Sequence, residues 1–144
     1  MFFGRFGHTI DEKGRLTVPS KYRATLDKGL VVTRGIDRCL YIFAMEEWQR
    51  LEPKFQQLLI TDADSRHFIS FMFSEACDCV PDKQGRVLIP SELREYASLE
   101  GDVVVTGSFN HLEVWNVDTY RAAKAAMESD PQGLAQRISG LGIL

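Results

Sequence analysis

The chain has 144 residues, enough for one ordinary domain or for two half-domains that share a core, and 44% of them are hydrophobic. No apolar run approaches the roughly 18 residues that cross a bilayer, and the opening MFFGRFGH is too short and too interrupted for a signal peptide, so we expect a soluble protein of the cytoplasm without a membrane partner. The net charge of −3 excludes a surface coated in positive charge, yet residues 1–35 carry seven Lys and Arg against three Asp and Glu, while the remainder carries ten against seventeen. This uneven distribution suits a polyanionic partner that binds at one place.

The sequence contains the same unit twice. Residues 11–23, DEKGRLTVPSKYR, match residues 82–94, DKQGRVLIPSELR, at an offset of 71 residues. After a one-residue insertion the register continues at an offset of 72, as far as Trp48 and Tyr120. We therefore predict two copies of one supersecondary unit that need each other to form a core. The predicted divisions are a first repeat (1–60), a connecting helix (61–76), a second repeat (77–128) and a C-terminal tail (129–144).

Each repeat starts as a strand, a tight loop, a second strand and a short helix. Gly14 and Gly85 can take the positive φ that the loop demands, so we expect them to have a structural role there. The apolar triplets LTV and VLI resume the strand, and the proline after each triplet ends it. Ser20 and Ser91 follow those prolines and are predicted to cap the helices SKYRATL and SELREYASL.

A β-hairpin is predicted next in each copy. In the first repeat it pairs residues 30–33 with 40–43 around the turn GIDR, and in the second it pairs 103–106 with 112–115 around GSFN. His111 falls in the second turn, where we expect a solvated side chain.

Helices should follow the hairpins. In the first repeat an apolar stripe runs from Trp48 to Leu58 at spacings of three and four, and Pro53 should kink or restart that helix. A weaker stripe begins at Tyr120 in the second repeat.

Two further helices are predicted outside the repeats. The connecting helix should be capped by Thr61 and buried against the repeats. In the tail a short helix near 132–139 should be followed by a loose end, whose apolar residues could dock on a neighbour. These residues are Leu141, Ile143 and Leu144.

The sequence has no pattern that supports catalysis. Its three histidines are scattered, none lies beside a recurrent Ser or Cys, and no phosphate-cradling glycine loop or nucleophile elbow is present. The cysteines match no zinc spacing and cannot form a complete disulfide set. They are Cys39, Cys77 and Cys79. We therefore predict no catalytic residue, no metal site and no cofactor.

Duplicated carboxylates, Asp11 and Asp82, invite an acid–base or metal role. Each, however, precedes an arginine by four residues across a tight loop, which favours a structural role in capping the turn or orienting the guanidinium. Arg23 and Arg94 lie on the short helices, where they could support the loops, pair with a partner subunit or contact phosphate.

The loop arginines, Arg15 and Arg86, directly follow the loop glycines. A planar fork of five donors at the rim of a hairpin could read guanine O6 and N7 or clamp a phosphate. An internal Asp–Arg ion pair that only stiffens the loop is the alternative. Lys13 and Lys83 place a charge in both loops, shifted by one position, which favours a solvent-facing basic tip.

The doubled motif, DEKGR and DKQGR, each followed by an apolar triplet, Pro-Ser and a helix ending in Arg, resembles the MraZ family, which belongs to the AbrB-like swapped-hairpin class of transcription factors. The resemblance runs from Phe2 through at least Tyr120. It includes the stretches LYIFAMEEW and LEVWNVDTY and the start that contains Phe3, Arg5 and Phe6.

This resemblance implies an α+β fold in which two tandem AbrB-like β-hairpin and helix repeats form one pseudo-symmetric barrel-like unit with flanking helices. It further implies a sequence-specific, DNA-binding transcriptional regulator, a repressor by expectation, that acts on the promoter of the bacterial division and cell-wall gene cluster. Members of the family associate with the nucleoid and assemble into rings, so a homo-oligomer larger than a dimer is expected here.

The family's functional motif maps onto both loops of this chain, at Asp11, Lys13, Gly14 and Arg15 and at Asp82, Gly85 and Arg86. One departure is Gln84, which stands where the first copy has Lys13. Either the second loop contacts DNA more weakly, or Lys83 compensates.

We hypothesise that six residues contact double-stranded DNA. Arg15 would read base edges in the major groove, and the second loop would act similarly or pack against the adjacent subunit. The six are Arg5, Lys13, Arg15, Lys21, Lys83 and Arg86. The alternative is an oligomeric protein-interaction scaffold that binds through its hydrophobic tail and acidic surface, with the DxxGR loops serving as stiff turns.

Overall fold

A computed structural model describes residues 1–142 of the chain and shows a mixed α+β fold. The strands of the first repeat are β1 (Arg5–Ile10), β2 (Arg15–Thr17), β3 (Leu30–Arg34) and β4 (Leu40–Ala44). Those of the second repeat are β5 (Cys77–Cys79), β6 (Arg86–Leu88), β7 (Gly101–Gly107) and β8 (Leu112–Asn116). The α-helices are α1 (Arg23–Leu26), α2 (Met45–Gln56), α3 (Ala63–Phe73), α4 (Ser91–Ala97), α5 (Val117–Ser129) and α6 (Pro131–Arg137).

All eight strands join one sheet in the order β5-β3-β4-β8-β7-β1-β2-β6, which is nearly closed into a barrel. The first strand of each repeat pairs with the third strand of the other, since β1 joins β7 and β5 joins β3. The equivalent strands β2 and β6 also pair with each other, as do β4 and β8. Neither repeat can therefore complete its sheet alone, and the predicted pseudo-symmetric barrel-like unit is confirmed.

The strand register shows where the pseudo-two-fold axis passes. Leu16 lies opposite Val87, its counterpart at the offset of 71, in the pairing of β2 with β6. Tyr41 lies opposite Glu113, its counterpart at the offset of 72, in the pairing of β4 with β8. Equivalent residues face each other at both places, so the two repeats are related by a rotation about an axis through these two strand pairs.

The barrel interior is filled by branched aliphatic side chains from both repeats. Leu16, Val32, Ile89 and Val105 are among those that are fully buried. Burial of each such side chain contributes roughly 1.5–3 kcal/mol, so this shared core holds the repeats together. A second, smaller apolar cluster lies under α2 and α3 and contains Val31, Phe43, Trp48 and Met72.

The predicted serine caps are wrong. Pro19 and Pro90 occupy the N-cap positions, without side-chain capping bonds, and a 3₁₀ turn over Ser20–Tyr22 precedes α1. Pro90 has φ −56° and ψ 148°, the extended conformation typical of an N-cap, and its carbonyl accepts from Arg94 N at 3.0 Å. Proline suits this position because the N–H that it lacks would not be used.

The connecting helix differs from its prediction in two respects. Its cap is Asp62 rather than Thr61, and the carboxylate accepts from Ser65 N at 2.9 Å. Only Met72 is buried, while Phe68 is exposed, so the helix contacts the body of the protein along one stripe. Thr33 and Arg34 of β3 donate to the carbonyls of Met72 and Phe71, which holds the C-terminal turn of α3 against the sheet.

Three other expectations have mixed outcomes. Both hairpins form as predicted, with β3 paired to β4 and β7 to β8. The helix α2 continues through Pro53 rather than restarting there, and it ends before Leu58. The tail helix is confirmed as α6, and Ile143 and Leu144 lie outside the described residues.

The expected exposure of His111 is wrong. Its side chain is only 16% exposed, and Nε2 lies 3.0 Å from a carboxylate oxygen of Glu113. Nδ1 lies 2.8 Å from Asn110 Oδ1, and the ring packs on Tyr41 with centroids 4.5 Å apart. The burial arises because β8 pairs with β4 of the other repeat, which a local turn pattern does not reveal.

Within residues 1–142, no helix is both long enough and apolar enough to span a bilayer.

Candidate nucleic-acid interface

The first DxxGR loop is organised around a single carboxylate. Asp11 Oδ1 accepts hydrogen bonds from Lys13 N at 3.0 Å and from Arg15 N at 2.9 Å, while Oδ2 accepts from Arg15 Nε at 2.7 Å. The backbone closes the turn, since Gly14 N donates to Asp11 O at 2.9 Å. One side chain thus stabilises the turn and fixes the direction of the arginine.

The second loop repeats this arrangement bond for bond. Asp82 Oδ1 accepts from Gln84 N and Arg86 N, both at 2.9 Å, and Oδ2 accepts from Arg86 Nε at 2.9 Å. Gly85 N donates to Asp82 O at 2.9 Å. Replacement of Lys13 by Gln84 leaves the loop unchanged because only the backbone N–H at that position is used.

The loop carboxylates titrate below their usual range. The pKa of Asp11 is lowered mainly by the hydrogen bond from the Arg15 backbone, and that of Asp82 by the bond from the Arg86 backbone. The adjacent guanidinium lowers both pKa values further. Both aspartates therefore stay ionised at neutral pH and keep the arginines oriented.

Each guanidinium is only partly occupied by its aspartate. Arg15 and Arg86 are 30% and 29% exposed, and each uses Nε for the ion pair. Neither Nη atom of either residue makes a hydrogen bond within residues 1–142. The ion pair and a reading role are therefore compatible, because the terminal fork remains free after Nε is engaged.

The pairing of β2 with β6 brings both arginines to one face. Residues directly opposite in an antiparallel pair project to the same side, and so do residues two apart along a strand. Arg15 lies opposite Leu88 and Thr17 opposite Arg86, while Leu16 and Val87 between them face the core. The outward side of this two-stranded ribbon, which we call the outer face, therefore presents Arg15, Thr17, Arg86 and Leu88.

Each loop is supported by the other repeat. Ile89 N donates to Gly14 O and Val18 N to Gly85 O, both at 2.8 Å. The Arg94 guanidinium packs on Gly14, so closely that an added Cβ would lie 2.9 Å from it. Arg23 packs on Gly85 in the same way, and of the roles left open for the helix arginines the structure shows this support.

Glycine is required twice over in the loops. Gly14 and Gly85 have φ values of +81° and +76°, in the region that favours glycine, and both are covered by an arginine. A side chain would be strained by the backbone and would also displace the supporting guanidinium.

The two loop tips differ in charge. Glu12, Lys13, Lys83 and Gln84 are all exposed, so each tip carries one lysine, and the first tip also carries the carboxylate of Glu12. The side chains of these lysines lie beside the outer face and take no part in the hydrogen bonds of the loops.

Two predicted contact residues lie apart from the loops. Arg5 is at the opposite end of β1 from Ile10, about 17 Å along the strand. The Lys21 ammonium lies 3.6 Å from the centroid of the Phe3 ring, and the Tyr22 hydroxyl bonds to the Phe3 backbone. Arg5 and Lys21 thus belong to the region around the N-terminal segment, and the structure does not bring them to the DxxGR tips.

The sequence pattern missed the partners of the arginines on the outer face, Thr17 and Leu88. Period-two alternation along each strand places Thr17 on the same side as Arg15, and Leu88 on the same side as Arg86, so these two relations can be read from the sequence. The pairing of β2 with β6, which brings the two strands together, cannot.

Within the described residues no group of three or more His, Cys, Asp or Glu side chains is placed to hold a metal ion.

Comparison with known proteins identifies the family. Residues 1–70 and 72–137 match the family model described as "MraZ protein, putative antitoxin-like". The chain belongs to the MraZ family. A protein named Transcriptional regulator MraZ from Caldicellulosiruptor saccharolyticus is 40% identical over 99% of this chain and 100% of its own length. Proteins of the same name from Natranaerobius thermophilus and Desulforamulus reducens are each 43% identical, covering 96% and 98% of this chain and 96% and 99% of their own lengths.

Proposed function

We propose that this MraZ-family chain is a transcriptional regulator that binds double-stranded DNA through the outer face and the two loop tips. The observation that carries the proposal is the pair of arginine forks, each held at Nε by an aspartate and free, among residues 1–142, at both Nη atoms. The relatives' shared name supports the regulatory role, which is not enzymatic.

The shape of the outer face fits the proposal. A two-stranded β-ribbon can enter the major groove, where a bidentate arginine recognises guanine O6 and N7. Arg15 and Arg86 lie diagonally across the ribbon, with Cα atoms roughly 8 Å apart for two residues along one strand and one step between strands. Both forks can therefore enter one groove together, and each would read a base edge.

The lysines provide the part of binding that does not depend on sequence. Lys13 and Lys83 are exposed beside the outer face and would neutralise phosphates on either side of the groove. Arg5 and Lys21, farther away, would contact phosphates outside the base pairs that the arginines read. Arg86 with Lys83 is proposed to act similarly, because Lys83 supplies the second tip with the lysine that Gln84 does not provide.

A neighbouring groove restricts the direction from which DNA can approach. A cavity of about 1010 Å³ beside the first loop has a net negative lining, with four carboxylates, from Asp11, Glu12, Glu95 and Glu100, against the single guanidinium of Arg94. A duplex that entered from this side would be repelled by these charges. On the outer face each loop aspartate is paired with an arginine, so DNA is proposed to meet the ribbon directly.

We further propose that the chain forms a homo-oligomeric ring and represses the division and cell-wall gene cluster while bound at the nucleoid. Several copies of a small face would bind repeated DNA boxes through their effective concentration. Exposed apolar side chains near the C-terminus support association between subunits, at Met127, Leu134, Ile138 and Leu141. Mass measurement in solution tests this, and a monomer at micromolar concentration would contradict it.

Fluorescence anisotropy with the chain's own upstream region and a random duplex of equal length tests the DNA contacts. Arg15→Ala is expected to lose about 1–3 kcal/mol of binding to the specific duplex and much less on the random one. Lys13→Ala should weaken binding to both and lower the salt slope by about one. Arg121, which is exposed on α5, provides the matched control Arg121→Ala.

A charge-conserving variant separates the fork from simple attraction. Arg15→Lys keeps the charge but cannot bind guanine bidentately, so its discrimination between the two duplexes should fall as in Arg15→Ala. Parent-like affinity of Arg15→Ala for the specific duplex would overturn the proposal. Absence of any salt-dependent DNA binding would favour the interaction-scaffold alternative, for which the exposed apolar tail is the supporting observation.

A further inference from the structure

An apolar side chain lies on the outer face, directly opposite Arg15. Leu88 is 58% exposed, although its neighbours Val87 and Ile89 are buried at 2% and 0%. Because side chains alternate between the two sides of a strand, Leu88 cannot turn inward without exposing both neighbours. Its position on the solvent side is therefore fixed by the pleat.

We infer that Leu88, together with Thr17, contacts the C5-methyl groups of thymines next to the bases read by the two arginines; this rests on the proposed DNA binding. Thymine is the base that presents a methyl group in the major groove, and apolar contact is how proteins recognise it. The DNA site is thus expected to combine guanines with adjacent thymines.

The register places each methyl-bearing side chain directly beside a reading arginine. Leu88 is opposite Arg15, and Thr17 is opposite Arg86. Side chains at such paired positions have Cβ atoms about 5 Å apart. When the Arg15 side chain reaches a base edge, Leu88 therefore lies at the neighbouring base pair in the same groove.

The two repeats differ in this contact. Leu88 is the counterpart of Thr17 at the offset of 71, while Arg86 is the counterpart of Arg15. The arginines are thus alike under the pseudo-two-fold rotation, and the apolar residues are not. A leucine buries more methyl surface than a threonine, so the pair defines which way round the chain lies on its DNA.

The test pairs a change in the protein with a change in the DNA. A binding duplex is first selected from a random 30-base-pair library with the full chain, and each thymine is then replaced singly by deoxyuridine, which lacks only the methyl group. Loss of one buried methyl group costs roughly 0.8 kcal/mol, so deoxyuridine at the contacted thymine should weaken binding about fourfold.

Leu88→Ala should bind the selected duplex about fourfold more weakly and show no further loss on the deoxyuridine duplex. Leu59→Ala is the matched control, because Leu59 is 69% exposed in the connection between α2 and α3. This variant should still bind the deoxyuridine duplex about fourfold more weakly than the thymine duplex. Thr17→Ser, which removes the γ-methyl, should abolish the sensitivity at a second thymine.

Two results would overturn the inference. In one, deoxyuridine lowers the affinity at no thymine; in the other, Leu88→Ala loses as much affinity on the deoxyuridine duplex as the parent does. A Leu88→Ala variant that changes the oligomer mass but keeps the loss would instead assign Leu88 to a subunit contact. Arg15→Ala on the same duplex separates the two proposals. If that variant binds as the parent does, DNA reading by this face is wrong altogether; if it binds weakly, only the thymine contact fails.

Discussion

The two repeats carry nearly identical loops on unequal supports. Asp11 and Asp82 make the same set of hydrogen bonds within a few tenths of an ångström. In contrast, β1 pairs with β7 over six residues, whereas β5 pairs with β3 over three. The motif and its equivalent support from the other repeat therefore give the same loop geometry, although the strands that lead into the loops pair over different lengths.

The helices after the hairpins differ as well. After the first hairpin, α2 and the connecting helix α3 enclose a separate apolar cluster around Trp48, whereas α5 of the second repeat buries no residue completely. The first repeat thus has a core of its own in addition to the shared barrel. Stability should depend more on the first repeat, although the loops are alike.

The two repeats should differ most in the stability lost when their equivalent aromatic residues, Trp48 and Tyr120, are removed. Trp48 is buried and packs on Phe43 and Phe73, with ring centroids 5.7 and 4.9 Å away, so Trp48→Ala should cost about 3–5 kcal/mol of unfolding free energy. Tyr120 is half-buried against Trp115, and Tyr120→Ala should cost about 1 kcal/mol. Urea unfolding at matched protein concentrations measures both, and equal losses would contradict the difference between the repeats.

The loop glycines should show the next largest effect. Gly14→Ala and Gly85→Ala should each cost about 1–3 kcal/mol because of the positive φ. The loss should be greater at Gly85, where an added Cβ would overlap Arg23 Nε. Gly7→Ala is the control, since a Cβ there meets no atom within 4 Å. Urea unfolding should leave this control close to the parent.

The supporting arginines should differ by a smaller amount. Arg94 Nε donates to Ile89 O at 2.9 Å, and Arg94→Met should lose about 0.5–1.5 kcal/mol. Arg23 Nε is buried without a hydrogen-bond partner among residues 1–142, so Arg23→Met should be neutral or stabilising. Thermal unfolding of both variants provides the comparison; a greater loss for Arg23→Met would show that its support of Gly85 outweighs the unpaired nitrogen.

An added positive charge should strengthen the phosphate contact of the second loop. Gln84 is exposed and contributes only its backbone N–H to the loop, so Gln84→Lys should keep the fold and add one phosphate contact. The slope of log affinity against log salt should steepen by about 0.9. A titration between 50 and 200 mM salt measures it, and an unchanged slope would place the second tip away from DNA.

The pH dependence should be the smallest difference, and it should be the same in both loops. The folded-state pKa values of Asp11 and Asp82 are lowered, so their stabilisation is present above the unfolded pKa near 4 and is lost as pH falls through the folded values. The stability gap between the parent and Asp11→Asn should be constant from pH 5 to 7 and shrink below about pH 4. Asp82→Asn should follow the same curve in urea titrations; a gap that widens in acid would contradict the sign.

Local sequence patterns predicted the elements whose interactions are local. The hairpins and the positive φ of Gly14 and Gly85 could be read from turn chemistry and from strand alternation. The predicted serine caps were wrong because Pro19 and Pro90, one position earlier, have the extended backbone of an N-cap and take that position. His111 was wrong because its surroundings come from β4, about seventy residues away along the chain.

The amino-acid sequence by itself determined the duplication, the two DxxGR loops and the residues nominated to contact DNA, because each of these depends on neighbours within a few positions. Only the tertiary structure decided that Arg15, Thr17, Arg86 and Leu88 share one face. That arrangement comes from pairing β2 with β6 across the pseudo-two-fold axis, and the same pairing lets each repeat support the other's glycine. Strand partners far apart in sequence are selected by burial of the whole barrel core, which no local pattern encodes.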